Sequence, residues 1–450
     1  MKRIKYRPFT LFLCLALIVF ILFAPHFLMK PQIDELFDKV FKKNIEWKGI
    51  ITVRDYPRLD VETGYKYSWI MGKIKAFERN NPGVIIDFKP LNSEFGHIEL
   101  ETAIKANACP DIAPVGANYE IICRGVLEPL DRHIDNDEID KYKTNVISAV
   151  TYDNKIWGLP YMMEDHCLFL NMDLFNEAGV KPPKDGNWTY DEFVEVLKKL
   201  TCDKNGDGDA DVFGFNSYIK PNSYSTFGIL LSDGGKIINT KNGKYEFHDE
   251  KAISGLKKLT DLKLVHGVTP KNFGSNSSVE AWKSFAIDKK VAVYPGKTSL
   301  INVLRVLNNR GKGFNFGVAN YPTGKVGKPI SSGNTITAYG IFKQEDEKKL
   351  KMCIKFIEYL ANDEGQKEIY KQGAFPVKKD LNNMYKNDKL MSHIEKNLEK
   401  SEVIGVHSNW GLIDDALQSQ IRMAILGKKT SEEAIKSAKE KIDQTLANSQ

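Results

Sequence analysis

Cysteine is scarce in this chain. Six are spread over 450 residues, at Cys14, Cys109, Cys123, Cys167, Cys202 and Cys353, and no two form a C-x-x-C pair. That spacing excludes a zinc ribbon. A Cys109–Cys123 disulfide is open to the chain, but nothing asks for it, and buried single thiols are the expectation. The eight histidines show no metal spacing, and H-E-x-x-H and G-x-S-x-G are both missing. Gly296-Lys297-Thr298 copies the tail of a phosphate loop. Val291 stands where the first glycine of G-x-x-x-x-G-K-[ST] belongs, so the loop could not wrap a phosphate. No basic stripe with interleaved aromatics occurs, which argues against nucleic acid as a partner. No fixed period suggests a solenoid.

The apolar fraction of 42% and charged fraction of 27% are those of an ordinary globular protein. The net charge of +6 is partly local: Lys2, Arg3, Lys5 and Arg7 open the chain, and 428–441 is lysine-rich. Between Phe9 and Met29 runs an apolar stretch broken by Thr10 and His26, and a membrane span needs about 20 such residues. The cations before it place the N-terminus in the cytoplasm and the remainder outside. Signal cleavage wants small residues at −1 and −3, but Leu22 lies three residues into such a site ending at Ala24. Leu13 before Cys14 likewise disfavours a lipid-modified cysteine. An uncleaved anchor over 1–30 is preferred to a cleaved signal, with a polar stalk over 31–48.

After the stalk, strand and helix patterns alternate. "GIITVRDY" reads as a strand, Ser68 to Asn80 as an amphipathic helix, "VIIDFKPL" as a strand, Ile98 to Ala106 as a helix and "DIAPVG" as a short buried strand. Such alternation argues for parallel α/β sheets. "TYDEFVEVLKKLT" is a helix with Thr189 as N-cap and Glu192 completing a capping box. Leu350 to Ala361 and Ile413 to Ile425 read as further helices. Two α/β units of this size leave a cleft between them, where ligands are commonly bound.

"DKNGDGDADVFGF" places Asp203, Asn205, Asp207, Asp209 and Asp211 at alternate positions around Gly206 and Gly208. It follows the calcium-loop template until position 12, where Gly214 replaces the bidentate glutamate. The two readings are a weak structural calcium site and a metal-free turn held by Asx side chains. No cofactor is required on either.

Several segments together carry a resemblance. They are "KAFERNNPGVIIDF", "CPDIAPVG", "GVLEPLDRHI", "VTYDNKIWGLPYMMEDHCLFLNMDLFNEAGVKPPKDGNWTYDEFVEVLKKLT", "FAIDKKVAVYPG", "FGVANYPTG" and "CIKFIEYLANDEGQKEIYKQGAFPVKKD". The chain from roughly residue 50 to 450 resembles the extracellular solute-binding proteins of ABC transporters, in the carbohydrate-binding family that includes maltose-binding protein. Leu170 departs from the pattern where tyrosine is common. The resemblance implies an α/β, two-lobed periplasmic-binding-protein-like fold with discontinuous lobes joined by a hinge. Lobe 1 would take 49–162 and 330–378, and lobe 2 would take 163–329 and 379–450.

The same resemblance implies capture of a carbohydrate by hinge closure and its delivery to permease subunits with a cytoplasmic ATPase, by a monomer held at the outer face of the membrane. Sugars present C–H faces that suit aromatic rings and hydroxyls that suit carboxylates, amides and cations. By position in the motifs, the implied ligand residues are Asp55 and Tyr56 at the first strand's end, Asn118 and Tyr119 after "PDI", and Glu164 at the lobe crossing. Tyr224, Gly296, Lys297 and Trp410 complete the set. The bland reading of each aromatic is a core residue, preferred for Trp157 and Trp188. An extracellular glycosidase, needing only two suitably spaced carboxylates, and a sensor subunit for a membrane kinase are the rivals.

Overall fold

The structure is a computed structural model that describes residues 46–239, 242–332, 336–398, 401 and 404–448. The expected anchor and most of the expected stalk lie outside these residues. No helix among the described residues is long and apolar enough to cross a membrane.

In chain order the main elements are β1 (Gly49–Asp55), α1 (Ser68–Asn80), β2 (Val84–Pro90), α2 (Gly96–Lys105), β3 (Ile112–Pro114) and α3 (Tyr119–Ile122). They continue with β4 (Leu159–Met163), β5 (His166–Asn171), α4 (Tyr190–Leu200), β6 (Phe213–Phe215), α5 (Glu250–Leu264) and α6 (Ser278–Ala286). Then come β7 (Val291–Lys297), α7 (Leu300–Asn309), β8 (Phe316–Ala319), β9 (Ile336–Ile341), α8 (Glu347–Ala361), α9 (Trp410–Ile425) and α10 (Ser431–Asn448).

Local chemistry accounts for many of these. In β1, Ile51, Val53 and Asp55 are buried while Ile50 is exposed, the alternation of a strand with one face on the core. Helix α1 buries Trp69, Ile70, Ile74 and Phe77, and Phe77 meets Phe356 of α8 edge-on at 4.9 Å. Helix α4 starts at the expected capping box: Thr189 Oγ1 accepts from Glu192 N while Glu192 accepts from Thr189 N. It buries Phe193, Val194, Leu197 and Leu200 along one stripe.

Two sheets carry the architecture. The first has the order β2-β1-β3-β9-β4 and the second β8-β5-β7-β6. Neither is purely parallel, which corrects the expectation from alternation. β1 runs parallel to β2 and β3, but β9 lies antiparallel between β3 and β4. In the second sheet only β6–β7 is parallel. The physical cause is that β9 enters the first sheet after a long excursion through the second, and so arrives from the opposite end.

The chain passes between the sheets at Glu164–Asp165, where β4 ends and β5 begins, and again between β8 and β9. A third passage lies between Lys378, which bridges to Tyr142, and Trp410. Helices α9 and α10 pack on each other and on α5, beside the second sheet. The five described cysteines are free thiols. Cys202 is exposed instead of buried, because it leaves α4 at the rim of the acidic loop.

Candidate functional site

At the end of β1 the Asp55 carboxylate is buried and fully engaged. It accepts from Arg58 Nη1 at 2.7 and 2.8 Å, from Tyr339 OH at 2.6 Å and from the Tyr56 amide at 2.8 Å. Burial works against the Arg58 charge, but Asp55 outweighs it and holds the guanidinium firmly protonated. Arg58 also lies 5.8 Å from the Tyr161 ring, which is stacked between Trp69 and Tyr339 at 5.5 and 4.7 Å. Tyr56 is half-buried against Gly96, where a Cβ would come within 2.7 Å of its ring. Burial, then Asp55, pushes its hydroxyl up to about 12.

Asn118 caps α3: its side chain accepts from Glu120 N at 3.1 Å and Ile121 N at 3.4 Å. Tyr119 turns into its own lobe. It is 3% exposed, donates to Ser148 O at 3.3 Å and meets Tyr152 edge-on. Its ring therefore offers no face to a ligand in this arrangement. Asp55 and Tyr119 are thus spent on internal support, as satisfied polar and aromatic groups usually are.

The second lobe brings Tyr224 and Trp410 together across a long sequence separation. Trp410 Nε1 donates to Tyr224 OH at 2.8 Å, with ring centroids 6.1 Å apart. Tyr224 is oriented by an edge contact with Phe227 at 5.2 Å. Gly405, at φ 88°, backs the indole so closely that a Cβ would come within 2.5 Å of it. Burial, then Asp414, raises the Tyr224 hydroxyl well above its ordinary value, so it stays neutral. Asp414 accepts from Asn222 N at 2.6 Å and Gln418 Nε2 at 3.2 Å, and burial raises it to about 7.

The crossings hold the remaining expected residues. Glu164 is buried and accepts from Ser299 N, before α7, at 3.2 Å. Gly296 pairs with Cys167, and a Cβ on it would meet Leu300 at 2.5 Å. Lys297 is exposed and pairs in register with His166. Beside Glu164 sits a residue the sequence did not single out. Asp165 accepts from Ser331 Oγ and Ser401 Oγ, each at 2.8 Å, and from His166 N at 2.8 Å. These hydroxyls come from the second and third passages between the lobes. Burial raises Asp165 to about 7, and burial followed by Lys297 lowers His166 to about 4.

The acidic loop is closed by its own side chains. Asp203 accepts from the amides of Gly206 and Gly208 at 2.7 Å, and Asp211 from those of Lys204 and Asn205 at 2.9 and 3.2 Å. Asp207 accepts from Asn205 Nδ2 and the Asp209 amide, and Asp209 pairs with Lys271 at 2.7 Å. Among the described residues no three His, Cys, Asp or Glu side chains stand together as a metal site. These bonds are those of a turn held by its Asx side chains.

An open apolar groove of about 610 Å³, lined by Ile50, Tyr67, Met71, Ile85 and Phe88, follows the edge strand β2 and shares no residue with these groups. A cavity of about 20 Å³ beside Asp165, His166, Asn320 and Asn397 is too small for a sugar ring.

The raised carboxyl of Asp165 gives a signed expectation. Its folded-state value near 7 lies above the unfolded value of about 3.9. Stability from this group is therefore fully present at low pH and lost as pH rises through about 7. His166 carries the opposite sign below its ordinary value, so the variant must be compared with wild type. The melting temperature of Asp165→Asn minus that of wild type should increase between about pH 5 and about pH 8. A difference that is flat or falls over that range would show that Asp165 is ionised throughout.

Residues 73–393 match the family model described as bacterial extracellular solute-binding protein. A binding protein of Brucella abortus (strain 2308) is 24% identical over 381 residues, covering 83% of this chain and 88% of its own. The galactooligosaccharide-binding protein of Bacillus subtilis (strain 168) is 23% identical over 319 residues, 68% of this chain and 69% of its own. Among solved structures, an ABC substrate-binding protein from Listeria monocytogenes in complex with cycloalternan superposes with a TM-score of 0.74. It has 20% identity and covers 89% of this chain and 100% of that one. A solute-binding protein from Thermotoga lettingae bound with alpha-D-tagatose gives 0.74 at 23% identity, covering 88% and 99%. The two-lobed architecture is theirs as well, and the chain belongs to the bacterial extracellular solute-binding protein family.

Proposed function

We propose that this protein is the extracytoplasmic receptor of an ABC importer, and that its ligand is an oligosaccharide. The observation that carries the reading is the Trp410–Tyr224 pair. It sits on the second lobe at the first residue of α9, next to Gly411, where lobe 1 comes into contact. An aromatic pair near where two lobes meet suits the C–H face of a sugar, and since Trp410 is 8% exposed and packs with Tyr224 on the second lobe's core, contact with a ligand requires the pair to be uncovered as the lobes move. The cycloalternan held by the similar Listeria protein supports an oligosaccharide, and the alpha-D-tagatose held by the Thermotoga protein supports a sugar more generally. Both lobes come from one chain, so the site is complete in a monomer. Closure exchanges an open for a closed state that the ligand favours by touching both lobes, and the permease with its ATPase supplies the energy. The ligand leaves unchanged. The apolar run Phe9–Met29 would hold the receptor at the outer membrane face.

Three measurements bear on this. Maltotriose and related oligosaccharides titrated into the purified chain from about residue 31 should bind and be recovered intact by chromatography. Trp410→Ala should weaken that binding by roughly 1–3 kcal/mol. Unchanged affinity together with a melting temperature far below wild type would make the indole a core residue. Steady appearance of shorter sugars would replace the receptor by a glycosidase.

Calcium has no part in ligand capture on this reading. Removing it with a chelator should leave the maltotriose affinity within about threefold. Complete loss of binding in the chelator would overturn this. Finally, N-terminal sequencing of the protein from native membranes should find the apolar run retained, and a mature start beyond residue 20 would show it to be a cleaved signal.

A further inference from the structure

The apolar groove of about 610 Å³ along β2 lies apart from the candidate site. Ile50 and Ile85 pair in register on β1 and β2, and they are 55% and 58% exposed. Tyr67, Met71 and Phe88 also line it, with Tyr67 edge-on to Phe88 at 5.7 Å. An open apolar surface at an edge strand calls for a cover. A further strand is a poor one here, because two β2 amides already have partners outside the sheet. Val84 N donates to Asn81 O at 3.1 Å and Ile86 N to Glu78 Oε1 at 2.8 Å. Edge pairing with a second copy of the chain would find these donors spent.

The chain itself supplies a better cover. Its described part begins at Glu46, which pairs with Lys355 at 2.7 Å, and Trp47 Nε1 donates to Asp346 at 3.0 Å. The Trp47 indole packs against Gly49, so closely that a Cβ there would lie 2.4 Å from it. The next residue is Ile50 of the groove. Residues 31–45 read "PQIDELFDKVFKKNI", with apolar side chains at Ile33, Leu36, Phe37, Val40 and Phe41. That is the i, i+3, i+4, i+7, i+8 spacing of one helical face. Asp34 and Glu35 open the stretch and Lys42 and Lys43 close it, the order that suits a helix dipole. A helix over 33–41 would be about 13 Å long. The seven-residue β2 extends about 23 Å, so the groove has the length for it. Residues 42–45 reach at most about 14 Å, a short link back to Glu46.

We propose that residues 33–41 dock their apolar face in the groove along β2, so that lobe 1 is held in a fixed orientation on its own N-terminal segment. The proposal goes beyond the receptor function. It depends neither on which ligand is bound nor on whether the run Phe9–Met29 is retained.

The test uses the full chain in native membranes, in a Cys14→Ser, Cys202→Ser background, since Cys202 is the exposed thiol among the described residues. Ile85→Cys is labelled with a water-soluble maleimide. Adding Phe37→Asp and Phe41→Asp should speed labelling about tenfold, as for a site protected until its cover lifts. Under oxidation, Ile85→Cys should link to Phe37→Cys or Phe41→Cys within one chain, and not to Asp38→Cys on the charged face. Met71→Cys takes the place of Ile85→Cys if that variant melts below wild type. Equal labelling rates, or links formed equally from both faces, would overturn the proposal. Links between two chains would overturn it by making a second copy the occupant. Protection that survives the two aspartates in membranes and vanishes in detergent would overturn it by making the lipid surface the occupant.

Discussion

A single buried carboxylate holds the passages between the two lobes together. Asp165 lies at the first passage and takes its hydrogen bonds from Ser331 on the second and Ser401 on the third. Thr298, at the end of β7, adds a backbone bond to the Asp165 carbonyl at 2.9 Å. Burying a carboxylate with no cation beside it among the described residues is costly unless donors surround it. The three passages can supply those donors only when they run side by side. Satisfying it therefore ties the three passages to one another.

On either side of that hinge the polar groups are used differently. In the first lobe Asp55, Arg58 and Tyr339 satisfy one another beneath the Trp69–Tyr161–Tyr339 stack, which makes a stiff platform. In the second lobe the Trp410–Tyr224 pair is fixed by a hydrogen bond, an edge contact and the glycine behind the indole. Groups held this way can meet a ligand without first being ordered, which lowers the cost of binding. The lobes meet through Lys220 with Glu94, through Asn302 Nδ2 donating to Lys371 O at 2.9 Å, and through an apolar cluster that includes Phe375 from the first lobe and Ile301 and Leu304 from the second.

What could be read from the sequence was local or pairwise by motif. The Thr189 capping box, the apolar stripe of α4 and the strand alternation of β1 follow from spacing within one element, so they needed no partner to be recognised. The family resemblance also pointed to Tyr224 and Trp410 as residues of one lobe, and they do meet. Side-chain direction was a different matter. Tyr119 lies one residue from Asn118, but its ring turns inward to Ser148 while the next side chain, Glu120, lies against Gly411. Nothing in the order Asn-Tyr-Glu distinguishes these roles.

By itself, then, the sequence determined the α/β alternation and the family, because hydrophobic period and motif order act along the chain, while helices expected from Ile98, Leu350 and Ile413 begin at Gly96, Glu347 and Trp410. Tertiary structure alone decided that β9 would run antiparallel into the first sheet, since that depends on the end from which a returning segment arrives. It alone made Asp165 a pin, because Ser331 and Ser401 are distant in sequence and become donors only once the passages are packed together.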